Sequence, residues 1–296
     1  MNEIHKLYKK NYAKLTKTEK RIAEFISKNP KKLITLSALE LGKELGVSDA
    51  SVLRFSKNIG FNKFSDFKNY VALELSEGNL NERIVKNWNN FTSENDLANK
   101  IINADLRNIQ DFLLNIDFEL IERLIDLIEK SKKIYILGIG ASRAIAQFMF
   151  WHIKRLGYSS ECIIEGGFGL YETISKIKKE ELLILFAFPK FLNDEINTLK
   201  VIKEKRAKSV VITSSLFSEI SFLGDIVFRV PIQNNAFLNS YMVPMEFCNI
   251  VLTSLFEKNK DKIYEEVEGI EHHFGRSSLE KIKDLMKYLK KNNYKA

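Results

Sequence analysis

The sequence predicts an α/β protein in two parts: an all-α N-terminal domain, then a three-layer αβα domain on a five-stranded parallel sheet. From residue 132 onward, five short apolar and β-branched runs appear, KIYILGIG, SSECIIEG, ELLILFAF, AKSVVITSS and DIVFRVP, and each of the first four precedes a helical segment. Such alternation builds βαβ units with helices on both sheet faces. Residues 1–76 carry no such run and read as short helices with tight turns. A length of 296 residues also exceeds one small domain and suits two.

In chain order, LTKTEKRIAEFISKNP opens on a threonine able to cap a helix, places Ile22, Phe25 and Ile26 at helical spacing, and stops at Asn29-Pro30. LSALELGKELG follows, with Ser37 as N-cap, Leu36, Leu39, Leu41 and Leu45 as apolar positions, and Gly46 as the stop. VSDASVLRFSKNIGF comes next, then a helix from Ser65 to about Glu77 with Phe67, Tyr70, Val71 and Leu75 on one face. Periodicity fades over 77–95, which reads as a linker. Helical patterns return at about 96–115 and 118–131, and after the last strand comes the long helix SYMVPMEFCNIVLTSLFEK. The expected domains are 1–76, the linker 77–95, an α/β domain over 96–258 with its leading helices, and a helical tail over 259–296.

No apolar run approaches the roughly 20 residues needed to cross a bilayer, so the expected location is cytoplasmic. Cys162 and Cys248 stand far apart with no metal-ligand spacing. Neither a disulfide framework nor a metal is signalled, and no cofactor is expected. The net charge of +8 is uneven: residues 1–76 hold 15 Lys and Arg against 8 Asp and Glu, or +7, which leaves +1 for the remainder. A polyanion partner for the first quarter follows, because clustered cations release condensed counterions when they meet phosphates.

A bihelical DNA-reading template fits Ala38 to Lys57. Gly46 stands at the centre of the turn, where positive φ is required, and Gly42 stands where the two helices approach most closely. Leu41, Leu45, Val47, Val52 and Phe55 fall inward. Ser48 caps the second helix, whose outward positions are Asp49, Ala50, Ser51, Leu53, Arg54 and Lys57. The N-terminal part of a recognition helix enters the major groove, so Asp49, Ala50, Ser51 and Arg54 are candidates for base edges. Lys57 and Lys63 suit backbone phosphates of double-stranded DNA. A helical bundle that binds no DNA is the plainer alternative.

The run from Leu15 to Lys68, with its Leu-Thr opening, Asn-Pro stop, Val-Ser helix start, Arg-Phe pair and Gly-Phe exit, resembles the N-terminal domain of RpiR-like bacterial transcription regulators. The resemblance implies a following sugar isomerase (SIS) domain that senses a sugar phosphate.

In the second part, YILGIGAS places Gly138, Gly140, Ala141 and Ser142 between a buried strand and a helix start, where free N–H groups and the helix dipole favour an anion. This loop is similar to the first ligand loop of the SIS family, and Thr213 and Ser214 match the rim after a later strand. Where a common regulator variant reads Phe-Pro-Arg-Tyr-Ser, this chain keeps Phe188 and Pro189 but has Lys190, Phe191 and Leu192. The effector candidates are therefore Gly138, Gly140, Ala141, Ser142, Lys190, Thr213 and Ser214. Isomerisation needs a positioned base, and Glu165, Glu195, His152 and the His272-His273 pair read as solvated or satisfied. A sensor of a sugar phosphate or related small molecule is preferred over an enzyme, with a purely assembling domain as the third reading. One recognition helix spans few base pairs, so a homodimer or homotetramer is expected, with the 240–256 helix at the interface.

Overall fold

The computed structural model describes residues 15–77, 94–189, 191–216, 218–234 and 238–260. Most of the linker, Lys190, the His272-His273 pair and nearly all of the tail lie outside these residues. Among the described residues the N-terminal domain has five helices: α1 (Lys17–Lys28), α2 (Pro30–Thr35), α3 (Ala38–Leu45), α4 (Asp49–Asn58) and α5 (Phe64–Glu77). Thr16 and Glu19 close a reciprocal box at the start of α1, with Thr16 N–H donating to Glu19 Oε2 at 2.8 Å. Ser37 and Glu40 do the same for α3. Each box satisfies orphan amides that would otherwise fray the first turn. Ile22, Ile26, Leu33, Leu41, Val52, Phe55 and Phe67 form the core. Leu39 is an exception to the expected apolar face, being 54% exposed. It lies two residues from Leu41, about 200° around the helix, and so faces water.

The second domain opens with α6 (Glu94–Asn115) and α7 (Phe118–Lys130). Strands β1 (Ile134–Leu137), β2 (Ser160–Ile163), β3 (Leu182–Phe186), β4 (Lys208–Thr213) and β5 (Ile226–Arg229) follow, separated by α8 (Arg143–Arg155), α9 (Phe168–Ile174), α10 (Asn193–Glu204) and α11 (Glu219–Leu223); α12 (Met242–Lys258) comes last. All pairings are parallel, in the order β2-β1-β3-β4-β5. Alternate strand residues feed two cores. Ile134, Ile136, Ile184 and Ile212 meet the helices on one face, and Tyr135, Leu137, Leu185 and Val211 meet those on the other. The five-stranded three-layer expectation is met. Because the strand order reverses at β1 and β3, a crevice opens outside their carboxyl ends, where open α/β sheets bind ligands.

Helix α6 is anchored to its own sheet. Asp111 Oδ2 accepts from Arg229 Nη1 at 2.6 Å, and Asn108 Nδ2 donates to the Gln233 carbonyl at 2.6 Å. Much of helix α12, expected at a subunit interface, is used within the chain. Val243, Phe247, Cys248, Val251 and Leu255 are buried in the chain's own core, because α6, α7 and α8 surround the helix on several sides. Its many apolar positions have an intrachain explanation.

Candidate functional site

One tight turn sets the outward face of α4. Gly46 adopts φ 64°, ψ 38°, a left-handed conformation that only glycine takes without strain, and a Cβ there would touch nothing. Gly42 has the opposite constraint. A Cβ on it would stand 2.8 Å from the Val47 carbonyl oxygen and 3.2 Å from the Asp49 nitrogen, so its hydrogen lets α3 meet the start of α4. Arg21 Nη2 donates to the Leu45 carbonyl at 2.9 Å and holds the turn from α1. At the far end of α4, Asn58 Nδ2 donates to Glu19 Oε1 at 2.6 Å. Burial alone would raise the Glu19 carboxyl, but bonds from Thr16 and Asn58 outweigh it and hold the pKa low, so the strut stays charged.

Between these supports α4 turns Val52 and Phe55 inward and leaves Ser48, Asp49, Ala50, Arg54 and Lys57 exposed, with Lys63 exposed just beyond. Ser51 is half-buried, and its Oγ lies 2.8 Å from Ser48 Oγ. The Ser48 hydroxyl also accepts from Ser51 N–H at 3.2 Å, so both hydroxyls are engaged in the cap. Asp49 Oδ1 accepts from Ala50 N–H at 2.8 Å. Arg54, whose charge also helps hold Glu19 ionised, and Lys57 carry the exposed positive charge of this helix.

The crevice brings some sequence candidates together and withdraws others. Gly140, at φ 64°, and Ala141 are exposed at its edge, and Arg143 Nε donates to the Gly140 carbonyl at 3.0 Å. Ser142 is only 5% exposed and its hydroxyl has no hydrogen-bond partner among the described residues. Gly138 is buried for a packing reason: a Cβ would stand 2.6 Å from the Ser142 carbonyl oxygen and 2.9 Å from Ala146 Cβ. Thr213 is withdrawn from the rim. It is fully buried and its Oγ1 accepts from Ser215 N–H at 3.4 Å, whereas Ser214 stays half-exposed.

Two acids at the start of α10 occupy positions the sequence reading undervalued. Asp194 Oδ2 accepts from Gly167 N–H at 2.8 Å and its Oδ1 from the Tyr171 hydroxyl at 2.8 Å, binding the β2–α9 loop to the β3–α10 loop. A Cβ on Gly166 would collide with the same carboxylate. The Gly166-Gly167 pair was the signal available in the sequence. Glu195, expected to be solvated or satisfied, is 3% exposed and accepts from Leu192 N–H at 2.8 Å. Burial pushes its carboxyl up to about 7, against the opposing effect of the Leu192 amide, and the neighbouring Asp194 adds to the rise. His152, by contrast, packs against Phe148 in the last turn of α8, where it lines a groove of about 400 Å³ between α8 and α12. Ten residues of helix separate it from Ser142, roughly 15 Å.

The raised Glu195 pKa has a defined sign. The native state binds a proton that the unfolded chain releases, so stability falls as pH rises from the ordinary carboxylate range through about 7. Glu195→Gln is expected to gain about 2 to 3 kcal/mol over wild type at about pH 8 relative to about pH 5. Chemical denaturation at the two pH values checks it; an equal effect at both would show that the proton is not held.

A serine cluster beyond the rim was also missed. Ser215, Ser218 and Ser221 are buried, with Ser218 Oγ 2.8 Å from Ser221 Oγ and Ser221 Oγ donating to the Ser215 carbonyl. They pin a loop whose Leu216, 1% exposed, enters the hydrophobic core of the N-terminal domain, with Phe222 and Val227 packed beside it. Helices α1 and α11 are in contact there. The available signal was an apolar leucine directly after the polar Thr-Ser-Ser rim.

A bihelical DNA-reading unit joined to a parallel-sheet domain with a crevice at its switch point defines a ligand-responsive regulator class. Residues 1–78 match the helix-turn-helix domain of the rpiR family, and residues 127–254 match the SIS domain. An HTH-type transcriptional regulator of Thermotoga maritima is 31% identical over 224 residues, covering 74% of this chain and 78% of that protein. The chain belongs to the rpiR family of helix-turn-helix transcriptional regulators with a SIS domain. Its fold is shared by the sugar isomerase domain of an RpiR transcription factor from Sphaerobacter thermophilus, with TM-score 0.58, 20% identity and coverage of 60% of this chain and 98% of that one. It is shared too by the NanR protein of Vibrio vulnificus, with TM-score 0.54, 16% identity and coverage of 91% and 97%. No helix among the described residues is long and apolar enough to cross a membrane.

Proposed function

We propose that this regulator reads operator DNA through Arg54, Lys57 and the exposed N-terminal turn of α4, and that its SIS domain binds a phosphorylated sugar or related metabolite to control sugar-metabolism genes. The observation that carries the reading is the outward face of α4, held by the left-handed Gly46 turn, with both cations exposed. The reading domain is 1–76, the linker 77–95, the sensing and assembling domain 96–258 and the tail 259–296, in a cytoplasmic protein that works as a dimer or higher oligomer. Support for the effector class comes from the Vibrio vulnificus NanR protein, whose structure is of a complex with ManNAc-6P.

The effector seat is the edge formed by Gly140, Ala141, Ser142 and Arg143, with Ser214 just past the end of β4 as a further candidate and Lys190 a candidate by sequence alone. Asp194 and Glu195 stand at the start of α10, so that end of the crevice suits hydroxyl or amino donors and the Gly140–Arg143 end suits the phosphate. Sensing needs differential binding to two arrangements, not turnover. The route to DNA runs from Ser214 at the rim through the Ser215, Ser218 and Ser221 hydroxyls to Leu216 and the reading domain. This is more direct than the linker and the helices at 96–131.

The raised Glu195 pKa favours one second reading, an aldose-ketose isomerase with Glu195 as base. Incubation with aldose and ketose phosphates separates the two, because turnover abolished by Glu195→Gln belongs only to the enzyme. For the regulator, fragments retained from genomic DNA supply the operator. Arg54→Ala is then expected to lose about 1 to 3 kcal/mol and relax preference at one base position. Equal weakening on every sequence would assign Arg54 to phosphate. A sugar phosphate at 100 times its Kd should stabilise the protein by about 2.7 kcal/mol. Silence to all of them would leave an assembling domain only.

A further inference from the structure

Helix α4 presents an apolar pair that the proposed DNA contacts leave unused. Val52, Phe55 and Ser56 are buried, with Ile59 buried just past the helix, while Ala50, Leu53, Arg54 and Lys57 are exposed. At about 100° per residue the two sets are centred on nearly opposite sides of the helix. Leu53 is 41% exposed and has no place in the core of the N-terminal domain. It lies one turn beyond Ala50 and directly beside Arg54, within the outward stripe. A lone leucine on a protein surface is ordinary. One set in the reading face, between a small apolar residue and two cations, is not.

The polar side chains of the first turn are committed to their own helix. Ser51 Oγ lies 2.8 Å from Ser48 Oγ, and Asp49 Oδ1 accepts from Ala50 N–H at 2.8 Å. Contacts to phosphate, which suit Lys57 and Lys63, position the protein and carry no sequence information. Discrimination between bases therefore falls on Arg54 and on the apolar pair. In the major groove every base pair shows hydrogen-bonding groups, and thymine alone adds an apolar one, its C5-methyl. Arg54 matches the two acceptors of guanine. Ala50 and Leu53 match nothing on a base edge except that methyl group.

We infer that Leu53, with Ala50 beside it, reads the C5-methyl of a thymine in the half-site that α4 covers. Leu53 is then a specificity-determining residue, and each half-site holds at least one thymine. The inference rests on the DNA-reading role proposed for α4 and adds the chemical group that its apolar positions recognise.

The test uses the full-length chain and duplex fragments retained from genomic DNA, with each thymine of the shared half-site replaced in turn by uracil. Uracil keeps the pairing with adenine and lacks only the methyl. Wild type is expected to lose about 4-fold in affinity at one thymine of the half-site, the worth of one buried methyl. Leu53→Ala should keep its far-UV circular dichroism and melting temperature, because the position is exposed and alanine favours helix. It is expected to bind the thymine duplex about 4-fold or more weakly and to lose nothing further with uracil. That non-additivity measures the contact between side chain and methyl. The uracil effect should barely change with salt, whereas retention as a whole weakens as salt rises. Uracil tolerated at every position, or a Leu53→Ala variant as sensitive to uracil as wild type, overturns the inference and leaves the DNA-reading proposal standing. No retention of any duplex overturns both.

Discussion

Gly42→Val is expected to abolish DNA retention and to leave the sheet domain folded. The effect is steric and local. The added Cβ would lie 2.8 Å from the Val47 oxygen, 3.2 Å from the Asp49 nitrogen and 3.3 Å from the Ser48 carbon, all backbone atoms of the turn that starts α4. No flexible side chain can move aside, so α4 must shift away from α3 and break the bond from Val47 N–H to the Gly42 carbonyl, 2.9 Å in the native turn. Forcing atoms into such a contact costs about 1 to 3 kcal/mol or more, a large share of what a small helical domain holds. Gly46→Ala is the calibrating control. There φ is +64° and the space is open, so the cost is the left-handed strain of about 1 to 2 kcal/mol. Calorimetry on the full chain should show the N-terminal transition move down strongly in the first variant, modestly in the second, and the sheet transition in neither. Equal losses from both glycines would refute the close-approach account.

Leu216→Ala is expected to separate sensing from DNA binding. Leu216 belongs to the α/β chain segment by sequence, yet it is 1% exposed within the core of the N-terminal domain. Truncating a buried leucine of this kind costs about 2 to 5 kcal/mol in transfer and cavity terms. The loss falls on the contact between α1 and α11, so the N-terminal transition should separate further from the sheet transition. Operator affinity without effector should hold within a few-fold, because no residue of the outward face of α4 is touched. The change in operator affinity on adding effector, an allosteric coupling of about 1 to 3 kcal/mol in typical systems, should collapse toward zero. A variant with undiminished coupling would send the signal through residues 77–131 instead.

How much was legible in the sequence differs between the two domains. In the first, Gly42, Gly46, Ser37 and Ser48 announced their roles because a turn, a close approach and two helix caps are local events, decided within four residues. In the second, short apolar runs predicted the described strands, most plainly β1 and β3, because a strand buried on both faces leaves little freedom of composition. Thr213 and Glu195 were harder. Thr213 reads as a rim residue by position, but it is the last residue of β4, which is buried on both faces there, and Ser214 is the first residue beyond the strand. Glu195 reads as a polar helix-start residue, and only the packing of the Leu192 loop over it withdraws its carboxyl from water. The helix α12 was ambiguous for a related reason: apolar residues on several faces fit a subunit interface and an interior helix equally well.

Taken by itself, the sequence determined the two-domain order, the helix-turn-helix geometry, the parallel sheet and the loop at Gly138–Ser142, since each rests on short-range periodicity and backbone conformation. Only the tertiary structure decided that Asp194 ties the start of α10 to Gly167 and α9, that Leu216 leaves one domain for the core of the other, and that much of α12 is buried while α6 keeps an exposed apolar face. Those are facts about which surfaces meet at long sequence separation, and hydrophobic burial is non-directional: it specifies that an apolar side chain is covered, and leaves the fold to choose by what.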